Sequence, residues 1–370
     1  MLSSTMAVSR RETIIARRNF CWRALGCASL LFLCLLCGTA LGEEPRFFRI
    51  GTAATAGSFF EIGGVLASAI SSPPGSPMCG HGGTCGVPGL VAVAQTTQGS
   101  IENLRLINAG QIESGFSQAD LAGWAYKGTG AFSDNGPMPR LRVIAGLFPE
   151  SLHIVVLADS SIHSLADLKG KRVSIGEPES GTVANARVVL AASGLDGDKL
   201  TRINLRPSQA AAQLTAGTID AFFMVGVYPV PAIRELAATT PIRLVPIDNE
   251  VMDGVQREFG FYDRAVIPAA SYPGIDSDTP TVGFSAMWIV GADVDGDLVY
   301  ALTKSLWNET TLRLLAGFGP IGRTINPRRA LTGLSVPLHP GAERYYREIG
   351  LPVENTPRVA EDGHENNNNP

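Results

Sequence analysis

The chain has 370 residues, with 30 Lys and Arg against 34 Asp and Glu, a formal net charge of -4 and a hydrophobic fraction of 45%. These are the values of an ordinary globular protein, long enough for two α/β lobes with a cleft between them. With no basic excess, and no basic helical stripe beyond the first residues, a nucleic-acid partner is not expected.

The amino terminus reads as an export leader. Arg10, Arg11, Arg17, Arg18 and Arg23 precede an apolar run from Ala24 to Leu41, and Ala40 and Gly42 are the small residues of a cleavage site before Glu43. Residues 1–42 are therefore expected to be a signal peptide, cleaved near Gly42, with the mature protein in the periplasm. A permanent membrane anchor is the competing reading, but the run is short for a span and has no Lys/Arg stop-transfer flank. Arg17-Arg18-Asn19-Phe20 is similar to a twin-arginine signal, and a charged n-region accounts for it equally well.

The stretch Arg49 to Gly64, RIGTAATAGSFFEIGG, takes an apolar strand (Phe47, Phe48, Ile50) through small residues into a helix start. Gly51, Ala53, Ala54, Ala56 and Gly57 leave the backbone open to a small molecule, and Thr52, Thr55 and Ser58 add hydroxyls beside the N–H groups that open the helix. It lacks G-x-G-x-x-G and a Walker Lys, so it is not read as a nucleotide site. A βα turn without a ligand stands as the alternative.

Of the 6 Cys, Cys21, Cys27, Cys34 and Cys37 lie in the leader, and Cys79 and Cys85 remain in a loop rich in Gly and Pro. In an oxidising compartment this pair is expected to form a disulfide. A metal site using Cys79, His81 and Cys85 is the alternative, with only three ligands and no partner motif.

From Leu90 on, strands and helices alternate, as in a parallel sheet. A strand at Val91 to Gln95, a helix with Ile101, Leu104 and Ile107, a strand at Glu113 to Phe116 and a helix from Gln118 are followed by two apolar runs, Leu141 to Phe148 and His153 to Ala158. This break suits a crossover between lobes. Next comes a strand at Arg172 to Gly176, then Glu177-Pro178-Glu179-Ser180-Gly181-Thr182 before a helix at Val183 to Ala192, a second strand-to-helix turn that favours an anion. Strands at Leu200 to Leu205 and Ile219 to Val225 alternate with helices from Pro207 and Pro229. A strand at Val282 to Val290 returns to the first lobe, and a helical stretch from Val294 to Leu315 follows. The tail after Pro357 has no apolar face and is expected to be disordered.

No G-x-S-x-G, no H-E-x-x-H and no mature Cys beside a basic partner occurs in the sequence, and each of the 5 His has a structural or surface setting. No catalytic residue, metal or cofactor is expected, and the protein is read as a binder rather than an enzyme.

Several segments together resemble the TAXI class of solute receptors of tripartite ATP-independent periplasmic (TRAP) transporters. They include IGTAATAGSFFEIGG, GSIENLRLINAG, FSQAD, SLADLKGKRVSIGEPESGT, IDAFFMVGVYPVPAI, IPAASYPGID, LVYALTKSLW and VPLHPGAERYYREIG, spanning about Phe47 to Gly350. The resemblance implies a two-lobed α/β periplasmic-binding fold, type II-like, that closes on a glutamate-like amino acid or dicarboxylate and delivers it to a TRAP membrane permease. Lobe I would be 43–158 with 278–357, lobe II 159–277 and the tail 358–370. The cleft would be lined by Thr52, Gly57, Ser58, Phe60 and Gln118, by Ser180, Gly181 and Thr182, and by Gly226 and Tyr272 near the hinge. The first motif departs from the family's G-T-G-G-x-x-G-x-Y-Y: Ala53 and Ala54 replace glycines, Phe59 and Phe60 replace aromatic hydroxyls, and Ala119 stands where FSQAD often has Ser. An exported enzyme, or a ligand-dependent signalling protein on the same scaffold, is the alternative of a different class.

Overall fold

A computed structural model describes residues 44–359 apart from 78, 81–84, 260, 318, 320 and 321. The expected leader and, from residue 360, the expected tail lie outside the described residues. The first strand, β1 (Arg46–Gly51), turns Phe48 and Ile50 into the core and leaves Phe47 on the other face, 63% exposed. This is the period-two pattern of a strand with one covered face. Helix α1 (Ser58–Ile70) follows, burying Phe59, Ile62, Leu66 and Ile70 at helical spacing. A short parallel pair, β2 (Ser71–Ser72) and β3 (Val87–Pro88), brackets the cysteine loop. The Cys79–Cys85 disulfide is formed, and the Cys85 carbonyl accepts hydrogen bonds from Ser305 Oγ and Asn308 Nδ2.

The chain continues through β4 (Leu90–Gln95), α2 (Ser100–Asn108), β5 (Ser114–Gln118) and α3 (Ala119–Lys127) to β6 (Leu141–Leu157). After it come β7 (Arg172–Ser174), α4 (Gly181–Ala192), β8 (Thr201–Ile203), α5 (Pro207–Thr215), β9 (Ala221–Gly226), α6 (Pro231–Ala237) and β10 (Ile242–Leu244). The last third holds α7 (Asn249–Glu258), β11 (Asp263–Ile267), β12 (Thr279–Gly291), α8 (Gly296–Leu306), α9 (Glu309–Ala316) and α10 (Pro340–Glu348).

The strands form one sheet in the order β4-β1-β5-β12-β6-β9-β7-β8, with β10 beside β6 and β11 beside β12. The two apolar runs expected around residues 141–158 are a single strand, because Pro149 to Leu152 stay extended and paired. The first half of β6 pairs with β12, its second half with β9 and β10, and Glu150 stands opposite Phe284 where the neighbours change. The two halves of the sheet make a two-lobed α/β fold with a cleft between them. Each half has parallel strands with an antiparallel crossover strand inserted next to last, β12 in the first and β6 in the second.

Along β9 the faces alternate: Ala221, Phe223 and Val225 join the larger core, Phe222 and Met224 a smaller one with Ile233, Leu244 and Tyr272. The stretch expected to be helical from Val294 to Leu315 is two helices. Asn308 breaks it, because its side chain caps α9 by accepting from the Thr311 N–H at 2.8 Å.

Candidate functional site

The cleft is built where strand ends of the two lobes open into helices. β1 stops at Gly51, where the approach of Asn103 leaves no room for a side chain: an added Cβ would lie 2.5 Å from Asn103 Oδ1. Asn103 Nδ2 donates to the carbonyls of Gly51, Thr52 and Phe116 and so ties the first turn to β5. The helix that follows, α1, has Gly57 as its N-cap and no side-chain cap, so its opening N–H groups are left for another acceptor. In the second lobe β7 runs through Gly176, at φ +96°, to Ser180, which caps α4 by accepting from the Val183 N–H at 3.1 Å. The N–H groups of Gly181 and Thr182 stand beyond that cap. Both helix starts line one space, together with Gln98, Gly99, Ser100, Gln118, Glu150, Glu177 and Phe223. Its volume is about 560 Å³ counting the part open to solvent.

The lobes touch around this space. Val227 N–H donates to Ser58 Oγ at 3.0 Å, Asn185 Nδ2 to Gln118 Oε1 at 3.2 Å, and the Ile101 and Glu102 N–H groups to the Glu179 carbonyl at 3.1 and 3.2 Å. Arg105 pairs with Glu179 on the rim. Gly181 allows this approach, since a Cβ there would fall 1.8 Å from Gln118 Oε1.

Two carboxylates face the cleft. Glu177 pairs with Arg206 at 3.2 Å, and burial raises its carboxyl above the ordinary value against that attraction. Glu150 is 3% exposed and accepts one hydrogen bond, from Gln118 Nε2 at 3.2 Å. Burial pushes it up to about 8, with nearby Asp120 adding repulsion. Asp120, also buried, is raised to about 6 and meets the Tyr262 hydroxyl at 3.1 Å. Beneath Glu150, Phe59, Phe116 and Phe148 meet edge to face with ring centres 5.5–6.4 Å apart.

Of the residues expected from sequence, Gly57, Ser58, Gln118, Ser180, Gly181 and Thr182 border the cleft. Thr52 does not: it is fully buried, with its hydroxyl donated to the Gln95 carbonyl at 2.8 Å. Phe60 is not among the residues that border the cleft, whereas its neighbour Phe59 is. Gly226 lies behind Ser58, and Tyr272 is buried on the far side of β6, bonded to Val230 N–H and His153 Nε2. His153 is held neutral there, pushed down to about 4 by burial. The Thr182 hydroxyl accepts from Val225 N–H at 3.1 Å, which leaves its hydrogen and one lone pair for a solute. Sequence reasoning passed over Glu150, Ser100, Asn103 and Asn185. Glu150 sat between two apolar runs, in the stretch already assigned to the crossover, and a polar residue in an otherwise apolar strand was the available signal.

Among the described residues no group of three or more His, Cys, Asp or Glu is placed to hold a metal ion. Among those residues no helix is long and apolar enough to cross a membrane.

Solved structures similar to this chain include the alkanesulfonate-binding protein SsuA from Xanthomonas axonopodis pv. citri bound to MOPS, at 18% identity over 82% of this chain and 84% of that one, with a TM-score of 0.42. The periplasmic aliphatic sulphonate binding protein SsuA from Escherichia coli is 16% identical over 74% and 79%, with a TM-score of 0.39. A structure from work on glutathione import through GshT and the cystine ABC importer TcyBC of Streptococcus mutans is 12% identical over 77% and 98%, with a TM-score of 0.45. The family model that matches, over residues 50–350, is that of the NMT1-like family. The expected identification as a TAXI-class receptor with a TRAP permease partner is thereby corrected, since the family model that matches the chain is that of another family. The physical reason is that strand-to-helix turns of small residues are demanded by any two-lobed binder whose backbone approaches a ligand, whatever permease it serves. From the end of β1 through α10 the chain lies inside that match, and it belongs to the NMT1-like family.

Proposed function

We propose that the protein is an exported solute-binding protein that captures a small carboxylate-bearing solute, a glutamate-like amino acid or a dicarboxylate, between its lobes. It is not an enzyme: it holds the solute and hands it to a membrane permease. The observation that carries this reading is the pair of helix starts, α1 and α4, that border the cleft from opposite lobes. A carboxylate at such an end gains typically about 0.3–1 kcal/mol, up to about 2 when partly buried, and here two ends converge on one small space. An ABC-type permease is the partner proposed, the kind of system named for the Streptococcus mutans structure.

In this reading 1–42 is a signal peptide removed near Gly42, 43–158 with 278–357 form the first lobe, and 159–277 the second. The penultimate crossover strand in each half supports a type II arrangement. Closure brings contacts from both lobes onto the solute together. A thermal-shift screen against small carboxylates and amino acids tests the reading, because a ligand at 100 times its Kd adds about 2.7 kcal/mol of stability. No shift across the panel, and no heat on calorimetric titration of its members, would sink it.

A further inference from the structure

The charges around the cleft do not suit a solute that is only anionic. Among the described residues that border it there is no Lys, Arg or His, and the two charged ones are Glu150 and Glu177. Glu177 already has Arg206. Glu150 has no cation: Gln118 Nε2 reaches one carboxyl oxygen, and no protein donor among the described residues reaches the other. On its other side Glu150 borders a second cavity, of about 940 Å³ counting the part open to solvent, that also holds Asp263, Arg264 and Arg329. Arg264 is paired with Asp253, and neither arginine forms an ion pair with Glu150.

Behind Glu150 runs a chain of hydrogen bonds with a direction. Gln118 Nε2 donates to Glu150, Asn185 Nδ2 to Gln118 Oε1 at 3.2 Å, and the Tyr262 hydroxyl to Asn185 Oδ1 at 2.7 Å. Tyr262 has one hydroxyl hydrogen, and its oxygen also lies 3.1 Å from Asp120 Oδ2. That hydrogen is shared between two acceptors, Asn185 Oδ1 and Asp120 Oδ2, with Asn185 the nearer. Asp120 is 1% exposed, and its Oδ1 has no hydrogen bond. The amide donors from Asn185 through Gln118 thus point toward Glu150, whose second carboxyl oxygen has no protein donor among the described residues.

We propose that Glu150 is the specificity-determining residue of the cleft and receives a protonated amine of the solute, so that the ligand carries an ammonium group as well as a carboxylate. This rests on the carboxylate reading above and selects, within it, aminocarboxylates over plain dicarboxylates. The solute's carboxylate meets the N–H groups at α1 and α4, its ammonium group donates to the free oxygen of Glu150, and that positive charge offsets one negative charge of the solute in an acidic cleft. The raised Glu150 carboxyl fits this arrangement, because a cation bound there removes the cost of holding that charge out of water.

The test uses matched pairs that share a carbon skeleton, glutamate against glutarate and alanine against propionate, titrated calorimetrically at pH 7 into the wild type and into Glu150→Gln. The wild type should bind the better amine-bearing member at least tenfold more tightly than its partner, and Glu150→Gln should cut that ratio to near one. Thermal unfolding of the variant shows that it is folded. A wild-type protein that binds the desamino acids as tightly as the amines overturns the inference and leaves the carboxylate reading standing. A preference for the amine that survives in folded Glu150→Gln overturns the role of Glu150. If no amino acid or carboxylate of the thermal-shift panel binds, the proposed function itself falls, and this inference with it.

Discussion

The two strand-to-helix turns look alike as text and behave differently as structure. In the first, Gly57 caps α1 with no side chain, Thr52 bonds within its own lobe, and the Ser58 hydroxyl meets Val227 of the other lobe. In the second, Ser180 caps its own helix, Thr182 holds β9, and Gly181 is the point where the other lobe packs. The first turn therefore leaves its helix end open and uses a hydroxyl to join the lobes, whereas the second uses its hydroxyls for itself and joins the lobes by having no side chain. Small and hydroxylated residues mark where a helix end lies, and the neighbours decide what each hydroxyl does.

The largest effect should come from the glycine that joins the lobes. Gly181→Val places a branched side chain where a Cβ alone would lie 1.8 Å from Gln118 Oε1, so the lobes cannot meet as they do here. Affinity for the best ligand of the screen should fall by more than about 100-fold, over 2.7 kcal/mol. Small-angle scattering should show a radius of gyration that no longer shrinks on adding ligand, and a variant that still closes with wild-type affinity would break the comparison.

The hydroxyls come next. Thr182→Ala leaves the buried Val225 N–H unpaired and should lower unfolding stability by about 1–3 kcal/mol. Ser58→Ala removes a bond made between lobes, which should change the open-to-closed balance more than unfolding stability. Denaturant melts and ligand titrations of the pair separate these outcomes; equal losses of stability in both would mean that the two hydroxyls do the same work.

Glu150, between the turns, gives a pH signature. Its carboxyl is raised from the ordinary 4.5 to about 8, so the folded state binds more protons than the unfolded one across that window, and stability falls as pH rises through it. Asp120, raised to about 6, acts in the same direction at lower pH. His153, lowered from 6.5 to about 4, acts in the opposite one, its stability being lost as pH falls below 6.5. Between pH 6.5 and 8 the slope of these three belongs to Glu150, and the ligand-free protein should lose on the order of 2 kcal/mol there. Thermal melts of the wild type should decline by a few degrees over that range, and those of Glu150→Gln should be flat.

The smallest effect belongs to Phe60. Phe59, not Phe60, borders the cleft, so Phe60→Tyr should leave ligand preference unchanged within about twofold. A clear shift toward more polar carboxylates on titration would put Phe60 back in the site.

Much of the fold could be read from the chain because its elements are punctuated. Pro207 opens α5, Gly176 ends the β7 segment in a conformation suited to glycine, and the alternating apolar residues of Val282 to Val290 fall within β12. What could not be read was set by tertiary neighbours. Nothing local joins Leu141–Phe148 to His153–Ala158, because the pairing that keeps Pro149 to Leu152 extended comes from β12 and β9, residues far along the chain. In the site, backbone features such as Gly57 and Gly181 were legible, since small residues before a helix have few other uses. Side-chain partners were not: Thr52 and Tyr272 are polar and well placed in sequence, yet Gln95, Val230 and His153 claim them.

The single 17-residue strand β6 has a mechanical consequence. Both lobes hang on it, and its change of neighbours at Glu150 faces Phe284, the matching point on the second crossover strand. A rotation of one lobe against the other must therefore have its axis near this pair. Points on an axis do not travel, whereas the ends of α1 and α4, set off from it, move with their lobes. On the proposed function, Glu150 then keeps its place while the helix ends close, so that the contact made first is set by leverage rather than by affinity.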